Sequence, residues 1–432
     1  MKETLILLTR YPEPGTTKTR LIPALGSEGA AELQRAMTMF IVSSAKQAAK
    51  NNGLSIEVHH EGGSTEQMSS WLGSDLTYVR QSDGDIGERM AGAVGSAHTG
   101  KCKKILVAGS DCPELSADDI MSALEYLDHS DIVIAPATDG GYCLIGMNSN
   151  VIDRTIPALF YGIRWSTEHV LTETVAAAER AGLRCGFIRT LTDIDKPGDL
   201  PVWHKSQKKL SIIIPTLNEE MSIQKTIEAV SSGKNIEIIV ADCGSSDSTA
   251  AIAENAGATV ITAERGRAQQ MNAGAQAASG ELFLFLHADT ILPRGYDTVV
   301  RTALIDTSIS LGAFSFRTDS KRAGIRIVEG LANFRSNFMK TPYGDQAFFV
   351  SAENFHNADG FPLMPIMEDF EFARIMRKRG RVVTVKEEAI TSSRRWHTVG
   401  LVRTTLINQL VIAGYYFGVS PSRLHTLYHK LK

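Results

Sequence analysis

The feature that most constrains the fold is an alternation of short apolar runs with helix-like segments, which occurs twice along the chain. In the first half we predict strands at Thr4–Leu8, Ile105–Ala108 and Ile132–Ala135, and helices at Glu28–Lys50 and Ala117–Leu127, the latter capped by Ser116. In the second half we predict strands at Leu210–Ile214, Glu237–Ala241, Thr259–Thr262 and Leu282–Leu286. This order is typical of βαβ units with a largely parallel sheet. The sequence therefore predicts an α/β fold class with two tandem domains.

The boundary between the halves is predicted at a polar stretch, Trp203–Lys209, that separates two apolar segments. A chain of 432 residues has room for two or three domains. We therefore expect a first domain over 1–204, a second over 205–398, and a basic, helical tail over 399–432.

The charge of the chain is unevenly distributed. Residues 1–204 carry 18 Lys and Arg against 26 Asp and Glu, whereas residues 205–432 carry 27 against 22. The overall net charge is −3, whereas nucleic-acid-binding proteins typically carry an excess of basic residues. No nucleic-acid partner is therefore expected. The five cysteines lack paired CxxC spacing, which fits a reducing cytoplasm. The N-terminal apolar run is too short for a signal peptide, and no stretch is typical of a membrane-spanning helix.

Acidic residues follow three predicted strands of the second half. The segments are PTLNEE at 215–220, Asp242 with its glycine and serine-rich loop, and the triplet His287-Ala-Asp289. The carboxyl ends of parallel strands share one edge of a sheet, where ligands bind. An Asp at such a position can meet a ligand or a metal, or it can cap the next helix. Glu368-Asp369 opens a further predicted helix, and Arg395-Trp396 adds a basic-aromatic element.

The order and spacing of these segments resemble family 2 glycosyltransferases with the GT-A fold, specifically the arsenosugar-biosynthesis-type subfamily, over roughly Leu210 to Trp396. The segments GRAQQMNAGAQAASG and YGDQAFFV match as well. Enzymes of this family transfer a sugar from a nucleotide diphosphate donor with inversion at the anomeric carbon. The resemblance therefore implies a nucleotide-sugar donor and an acceptor, either a small molecule or lipid-linked, as partners.

The resemblance also implies a role for each matching residue. Asp242 would bind the nucleoside of the donor, in a pocket shaped by Pro215, Asn218 and Glu219. Asp289 would hold Mg²⁺ or Mn²⁺, and Arg395 and Trp396 would face the diphosphate or acceptor. Asp369, beside Glu368, would be the base that deprotonates the acceptor hydroxyl. Two positions depart from the family. His287 stands where an Asp is usual, so it is a weak ligand, a neighbour of the ligand or a packing residue. Cys243 stands where an Asp is common, and we expect it to be a small buried residue rather than a reactive thiol.

The first half places a loop with three cations, Arg10, Lys18 and Arg20, directly after its first strand. Such a loop is either a phosphate cradle or a solvated basic loop. With the segments GSDCP at 109–113, APATDGGY at 135–142 and TDIDKPGD at 192–199, it resembles a family of small glycosyltransferase-like proteins of the DUF2064 type. These are similar to phospholactate guanylyltransferases and have the GT-A fold.

By that likeness, Lys18 and Arg20 touch nucleotide phosphates, and Asp139 shapes the substrate edge. Asp111 is the leading metal ligand, with Asp193 or Asp195 as a second. The chemistry stays open between glycosyl transfer and nucleotidyl transfer. A degenerate first domain that serves as a nucleotide-binding scaffold is the other alternative.

The basic, aromatic tail has two interpretations. It lies on an anionic membrane surface, as a peripheral contact at the inner face of the membrane, or it packs on the second domain.

Overall fold

The computed structural model describes residues 2–50, 52–99, 102–320, 322–394, 396 and 400–431. Their contacts divide the chain into two compact units, Met1–Ser206 and Gln207–Lys432. Each unit contains one mostly parallel sheet with helices packed on it, which confirms the predicted α/β fold class with two tandem units.

The first unit has a seven-stranded sheet with the strand order β3-β2-β1-β4-β6-β5-β7. Its strands are β1 Lys2–Arg10, β2 Ser55–Glu61, β3 Thr77–Arg80, β4 Cys102–Gly109, β5 Ile132–Pro136, β6 Tyr142–Asn148 and β7 Cys185–Phe187. Its helices are α1 Ile22–Ala49, α2 Thr65–Leu72, α3 Ile86–Thr99, α4 Ala117–Tyr126, α5 Ile152–Leu159, α6 Val170–Arg180 and α7 Leu200–Ser206.

Both faces of this sheet are buried, which explains why its central strands are almost continuously apolar. Along β1, Leu5 and Leu7 pack in one core and Ile6 and Leu8 in the other. The predicted cap is confirmed, since Ser116 and Asp119 form a reciprocal capping box at the start of α4.

The second unit has an eight-stranded sheet with the order β10-β9-β8-β11-β14-β13-β15-β12. Its strands are β8 Leu210–Thr216, β9 Ile236–Asp242, β10 Thr259–Thr262, β11 Leu282–Phe285, β12 Thr290–Ile291, β13 Ile309–Thr318, β14 Phe348–Ser351 and β15 Arg381–Thr391. Its helices are α8 Ile223–Val230, α9 Thr249–Asn255, α10 Arg267–Ala277, α11 Tyr296–Ile305, α12 Ala323–Phe334, α13 Ala352–Asn357, α14 Glu368–Arg379, α15 Leu401–Tyr416 and α16 Pro421–Leu431.

The parallel strands β10, β9, β8 and β11 bring their carboxyl ends to one edge of this sheet. The buried side-chain amide of Gln270 on α10 ties two of these ends together. Its Nε2 donates to the carbonyl oxygens of Thr216 and Ala241, each at 2.8 Å. The neighbouring strand β14 runs antiparallel to β11. The short helical turn Gly344–Gln346, which contributes residues to the candidate site, comes just before β14.

Two helical segments differ from their predicted form. Helix α1 begins at Ile22, ahead of the predicted start, and is interrupted at Gly26, whose φ of 73° only glycine adopts readily. The tail is two helices rather than one, because the chain turns at Gly418 with φ 79°. Leu424 and Val411 of the tail pack with Met367 and Phe370 beside α14.

Candidate functional site

The Asp242 loop is organised by its own aspartate. Asp242 Oδ1 accepts backbone N–H groups of Gly244 (2.9 Å) and Ser245 (2.8 Å), and Oδ2 accepts the hydroxyls of Thr216 and Ser245. Burial opposes the charge, but these hydrogen bonds hold the pKa of Asp242 below its usual value. All four acceptor positions of the carboxylate are used, so a ligand N–H would bind Asp242 only by replacing one of these donors. The Ser245 hydroxyl is the donor that can rotate away.

The loop after β8 is locked to the loop after β9. Pro215 lies in β8, and Asn218 follows it with a left-handed φ of 55°. Asn218 donates its N–H to Ser245 Oγ (2.9 Å) and accepts the N–H of Ser246 (2.8 Å). Glu219 donates its backbone N–H to Thr249 Oγ1 at 2.7 Å. The predicted nucleoside residues therefore lie together, on a rigid pair of loops.

Arg394 bridges two acidic residues of the predicted site. Its Nη2 lies 2.8 Å from Glu219 Oε2 and 3.4 Å from Asp289 Oδ2. Burial and the nearby Glu219 carboxylate raise the pKa of Asp289, against the opposing charge of Arg394. A partly buried carboxylate whose contact with a cation is long can exchange that contact for a divalent ion.

Gly344 lies next to both His287 of the predicted metal triplet and the predicted base, Asp369. Its N–H donates to Asp369 Oδ2 at 2.8 Å. A Cβ at Gly344 would lie 3.2 Å from Asp369 Oδ2 and 3.4 Å from His287 Nε2, so both groups border the same small space. Burial and the positive charge of Arg267 lower the pKa of His287 to about 3. The imidazole is therefore neutral, which is the form that binds a metal.

The two members of the Glu-Asp pair have different surroundings. Glu368 is buried, and Arg267 Nη1 lies 3.3 Å from its Oε1. Burial and the adjacent Asp369 raise the pKa of Glu368. Asp369 is only half-buried, and Met367 before the pair adopts a left-handed φ of 72°. Strained backbone of this kind in a non-glycine residue is common at functional sites.

Asp345, next to Gly344, adds a third carboxyl group to this corner. Burial raises its pKa to about 6, with the Asp369 carboxylate acting in the same direction and Arg335 opposing. Arg335 itself lies over the ring of Tyr343, 3.3 Å from the ring centroid.

Sequence reasoning missed several residues of this corner as site members: Arg394, Arg267, Gly344 and Asp345. The sequence carried a signal for each, because Arg394 adjoins the predicted Arg395, and the other three lie in matched segments. Arg395 itself lies outside the described residues. Trp396 is half-buried with its ring centroid 6.0 Å from that of Phe316.

In the first unit, Lys18 is held by two predicted metal ligands. Its Nζ lies 3.0 Å from Asp111 Oδ2 and 2.8 Å from Asp195 Oδ1, and it also donates to the carbonyl of Ile194. The Lys18 side chain is only 7% exposed. Burial disfavours its charge, but the two carboxylates outweigh this effect and raise the pKa of Lys18. The ammonium ion therefore occupies the position between the carboxylates.

The other predicted residues of this unit are less tightly joined. Arg20 is exposed, 3.6 Å from Asp195, and Arg10 pairs with Glu61 at 2.8 Å. Asp139 accepts the N–H of Gly141 at 2.8 Å. Burial and the carboxylates of Asp139 and Asp195 raise the pKa of Asp193 to about 6. The structure thus brings Lys18, Asp111, Asp195 and Asp193 together and pairs Arg10 elsewhere.

The side chains that the structure describes do not complete a metal site by themselves. Within the described residues, no group of three or more His, Cys, Asp or Glu side chains is placed to hold a metal ion. In the second unit, Asp289 and His287 offer one carboxylate and one imidazole, so a cation there would need water or ligand oxygens to complete its coordination. Among the residues described, no helix is both long and apolar enough to cross a bilayer.

Comparison with known proteins gives two family matches and a set of more distant relatives. Glucosyl-3-phosphoglycerate synthase of Mycobacterium tuberculosis is 31% identical over 22% of this chain and 38% of its own length. The chain thus spans less than half of that curated relative.

Solved structures with similarity include a Desulfovibrio desulfuricans protein assigned as a nucleotide-diphospho-sugar transferase. It is 29% identical, covers 47% of this chain and 87% of its own, and has a TM-score of 0.42. The M. tuberculosis synthase in complex with Mn²⁺, UDP and glucosyl-3-phosphoglycerate is 20% identical, covers 47% of this chain and 81% of its own, and has a TM-score of 0.34.

The family models match one unit each. The model described as uncharacterized proteins conserved in bacteria (DUF2064) matches residues 44–167. The model of glycosyl transferase family 2 matches residues 211–346. The resemblances predicted from the motifs are therefore confirmed, with the first unit similar to the DUF2064 family and the second to the family 2 glycosyltransferases.

Proposed function

We propose that the chain is a bifunctional transferase whose second domain, 205–398, transfers a sugar from a nucleotide diphosphate donor to an acceptor hydroxyl with inversion. One observation carries the proposal. The predicted base, Asp369, and the predicted metal triplet, through His287, border the same space at Gly344. The family 2 match over residues 211–346 supports the same class of reaction.

The reaction needs one base and one leaving group. The acceptor oxygen attacks the anomeric carbon while the bond from that carbon to the diphosphate oxygen breaks. The hydroxyl proton passes to the half-buried carboxylate of Asp369. Glu368 is the poorer candidate, because it is buried and its Oε1 lies 3.3 Å from Arg267 Nη1. The products are a glycoside and a nucleoside diphosphate.

The donor is bound by residues other than the base. The rigid loops that carry Pro215, Asn218, Glu219 and Asp242 receive the nucleoside. Arg395 and Trp396 are assigned to the diphosphate or the acceptor by the family resemblance, and the planar donor fork of arginine suits phosphate oxygens.

A divalent cation, Mg²⁺ or Mn²⁺, is part of the proposal. Asp289 and His287 would hold it, and the bound ion would neutralise charge on the diphosphate leaving group. The solved structure of the mycobacterial synthase with Mn²⁺ and UDP supports a divalent ion in this class of protein.

For the first domain, 1–204, we propose a second nucleotide-dependent transferase site built on Lys18, Arg20, Asp111, Asp139, Asp193 and Asp195. The cluster of one buried cation among carboxylates fits glycosyl transfer and nucleotidyl transfer alike, because both chemistries bind a nucleotide polyphosphate and a metal. A nucleotide-binding scaffold without turnover is the alternative. The acceptor of the second domain is a small molecule or is lipid-linked, in the cytoplasm or at the inner face of the membrane.

A donor screen on the full chain tests both domains at once. Release of nucleoside diphosphate and of pyrophosphate is followed separately, with Asp369→Asn and Lys18→Ala as variants. Nucleoside diphosphate release that depends on Asp369 supports glycosyl transfer by the second domain. Pyrophosphate release that depends on Lys18 identifies the first domain as a nucleotidyltransferase. Diphosphate release unaffected by Asp369→Asn contradicts the assigned base.

A further inference from the structure

Helix α12 and the π-helical turn Arg335–Met339 that follows it leave a row of large apolar side chains in solvent. Ile327 is 67% exposed, Leu331 62%, Phe334 61% and Phe338 77%. The spacing of four, three and four residues places them along one side of the helix. The rings of Phe334 and Phe338 stack with centroids 5.3 Å apart. The row is thus continuous rather than a set of isolated exposed residues.

Helix α15 carries a second exposed apolar row. One side of the helix is packed, since Ile407 and Val411 are buried. On the adjoining side, Leu406 and Leu410 are more than half exposed, and Phe417 just after the helix is 88% exposed. A row of apolar side chains on a helix normally packs against another element. Here one side lacks a covering element within the described residues.

The two rows belong to one surface. Helices α12 and α15 pack against each other. We call the surface that they form the apolar face, and its members are Ile327, Leu331, Phe334, Phe338, Met339, Leu406, Leu410 and Phe417. A contiguous patch of this kind on a protein surface usually marks an interaction site.

The apolar face adjoins the helix that begins with the Glu-Asp pair. Arg377 of α14 donates to the carbonyl of Met339 at 2.9 Å. The hydroxyl of Tyr415 on α15 donates to Glu371 of α14 at 2.8 Å. Both rows are therefore anchored to α14, at residues that stand eight and two positions after Asp369. Any partner that binds the apolar face therefore lies close to the site where the acceptor hydroxyl is proposed to react.

The rim of the apolar face is basic. Four exposed cations, which we call the rim cations, lie on or next to the segments that carry it: Arg322 precedes α12, Lys340 follows Met339, Arg403 lies on α15 and Arg423 on α16. The one acidic residue of α12, Glu329, is 3% exposed and bonds to Arg326 at 2.7 Å. No Asp or Glu follows Glu388 in the sequence. Two copies meeting through this face would bring these cations together, which disfavours self-association. An occupant that is both apolar and anionic fits the surface best.

We propose that the apolar face docks on an anionic phospholipid bilayer, with α12 and α15 lying in the plane of the interface. The apolar rows enter the boundary between headgroups and acyl chains, and the rim cations meet the anionic headgroups. The proposed docking depends only on the residues of the apolar face and the rim cations. Its consequence, a lipid-linked acceptor presented to Asp369 from the bilayer, rests on the proposed function.

Vesicle co-sedimentation of the full chain tests the docking. The vesicles are phosphatidylcholine alone, and phosphatidylcholine with a one-third share of phosphatidylglycerol. The test variant combines Leu331→Gln, Phe338→Gln and Leu410→Gln, all at exposed positions. The matched control combines Tyr126→Gln and Phe187→Gln, which are exposed apolar residues of the first unit. Circular dichroism and nucleotide affinity of each variant establish that folding and the nucleotide site are intact.

We expect the parent chain and the control to bind the anionic vesicles, to bind phosphatidylcholine poorly, and to dissociate as salt rises. The triple variant should partition at least tenfold less, because each substitution removes apolar area from the interface. Equal partitioning of parent and triple variant overturns the proposal. So does a parent chain that ignores vesicles but forms a dimer that the triple variant loses, since a second copy then covers the face. Retained nucleoside diphosphate release with either result leaves the proposed function standing.

Discussion

Replacement of Asp369 by Asn is the sharpest test of the second domain, and the structure shows what it changes. Asp369 Oδ2 accepts the N–H of Gly344 at 2.8 Å, and Oδ1 accepts the N–H of Phe370 at 2.7 Å. An amide side chain offers only one acceptor oxygen. Asp369→Asn therefore removes the basicity and also turns an NH₂ group toward one of these two N–H groups.

Each change has its own magnitude. Loss of a general base lowers kcat by about 10²–10⁴-fold. Loss of one hydrogen bond, with an N–H left facing an NH₂ group, costs about 1–3 kcal/mol of folding stability. Nucleotide affinity should change little, because the residues proposed to bind the nucleotide lie on the other loops.

The assay follows nucleoside diphosphate release for kcat, urea unfolding for stability and calorimetric titration for nucleotide affinity. Glu368→Gln is the matched control. Its amide oxygen can keep the contact with Arg267, so we expect less than about a tenfold loss of kcat. A near-normal kcat in Asp369→Asn together with an inactive Glu368→Gln would show that the base is the other member of the pair. Activity in both variants would refute a single-base mechanism.

Three further predictions concern the metal, the first domain and stability. Asp289→Ala should weaken Mn²⁺ binding in the presence of nucleotide at least tenfold by calorimetry, and His287→Ala should weaken it less. Equal losses in the two variants would show that His287 is as strong a metal ligand as Asp289. The double variant Lys18→Ala, Arg20→Ala should lose two charge-assisted bonds to a nucleotide, each worth roughly 1.5–3 kcal/mol; unchanged affinity by titration would make the loop a solvated one. Glu237 is partly buried, but Lys209, Ser211 and Ser279 hold its pKa at about 2 against an ordinary value of 4.5, which corresponds to about 3 kcal/mol of stability. Because the folded pKa is lowered, this stability is present above pH 4.5 and is lost as the pH falls toward 2. Glu237→Gln should therefore destabilise the chain at pH 7 and progressively less in acid. A loss of stability that is the same at pH 7 and in acid would contradict the assignment.

The local patterns of the sequence predicted the parallel strands and the placement of acidic groups at their ends. Periodicity and turn signals act over a few residues, which is why β8, β9 and β10 were found and the Ser116 cap was correct. The position of Asp242 and Asn218 on one pair of loops follows from the same reasoning, because parallel strands share an edge.

Contacts between distant parts of the chain could not be predicted in this way. Arg394 reaches Glu219 across 175 residues and Asp289 across 105 residues. The placement of Lys18 between Asp111 and Asp195 depends on a loop that approaches from a different strand end. The apolar row on α12 has the spacing of an ordinary buried helix face, so only the fold shows that it is uncovered.

If the second domain binds a nucleotide as proposed, the four hydrogen bonds to the carboxylate of Asp242 have a consequence for the rate of that binding. These four hydrogen bonds fold the loop after β9 before any ligand arrives, so little of the ordering entropy remains to be lost on binding. Nucleotide association should therefore be limited by encounter rather than by loop rearrangement, with a single fast phase in stopped-flow mixing. For the same reason, crystals of the free protein should take up a soaked nucleotide without movement of this edge of the sheet.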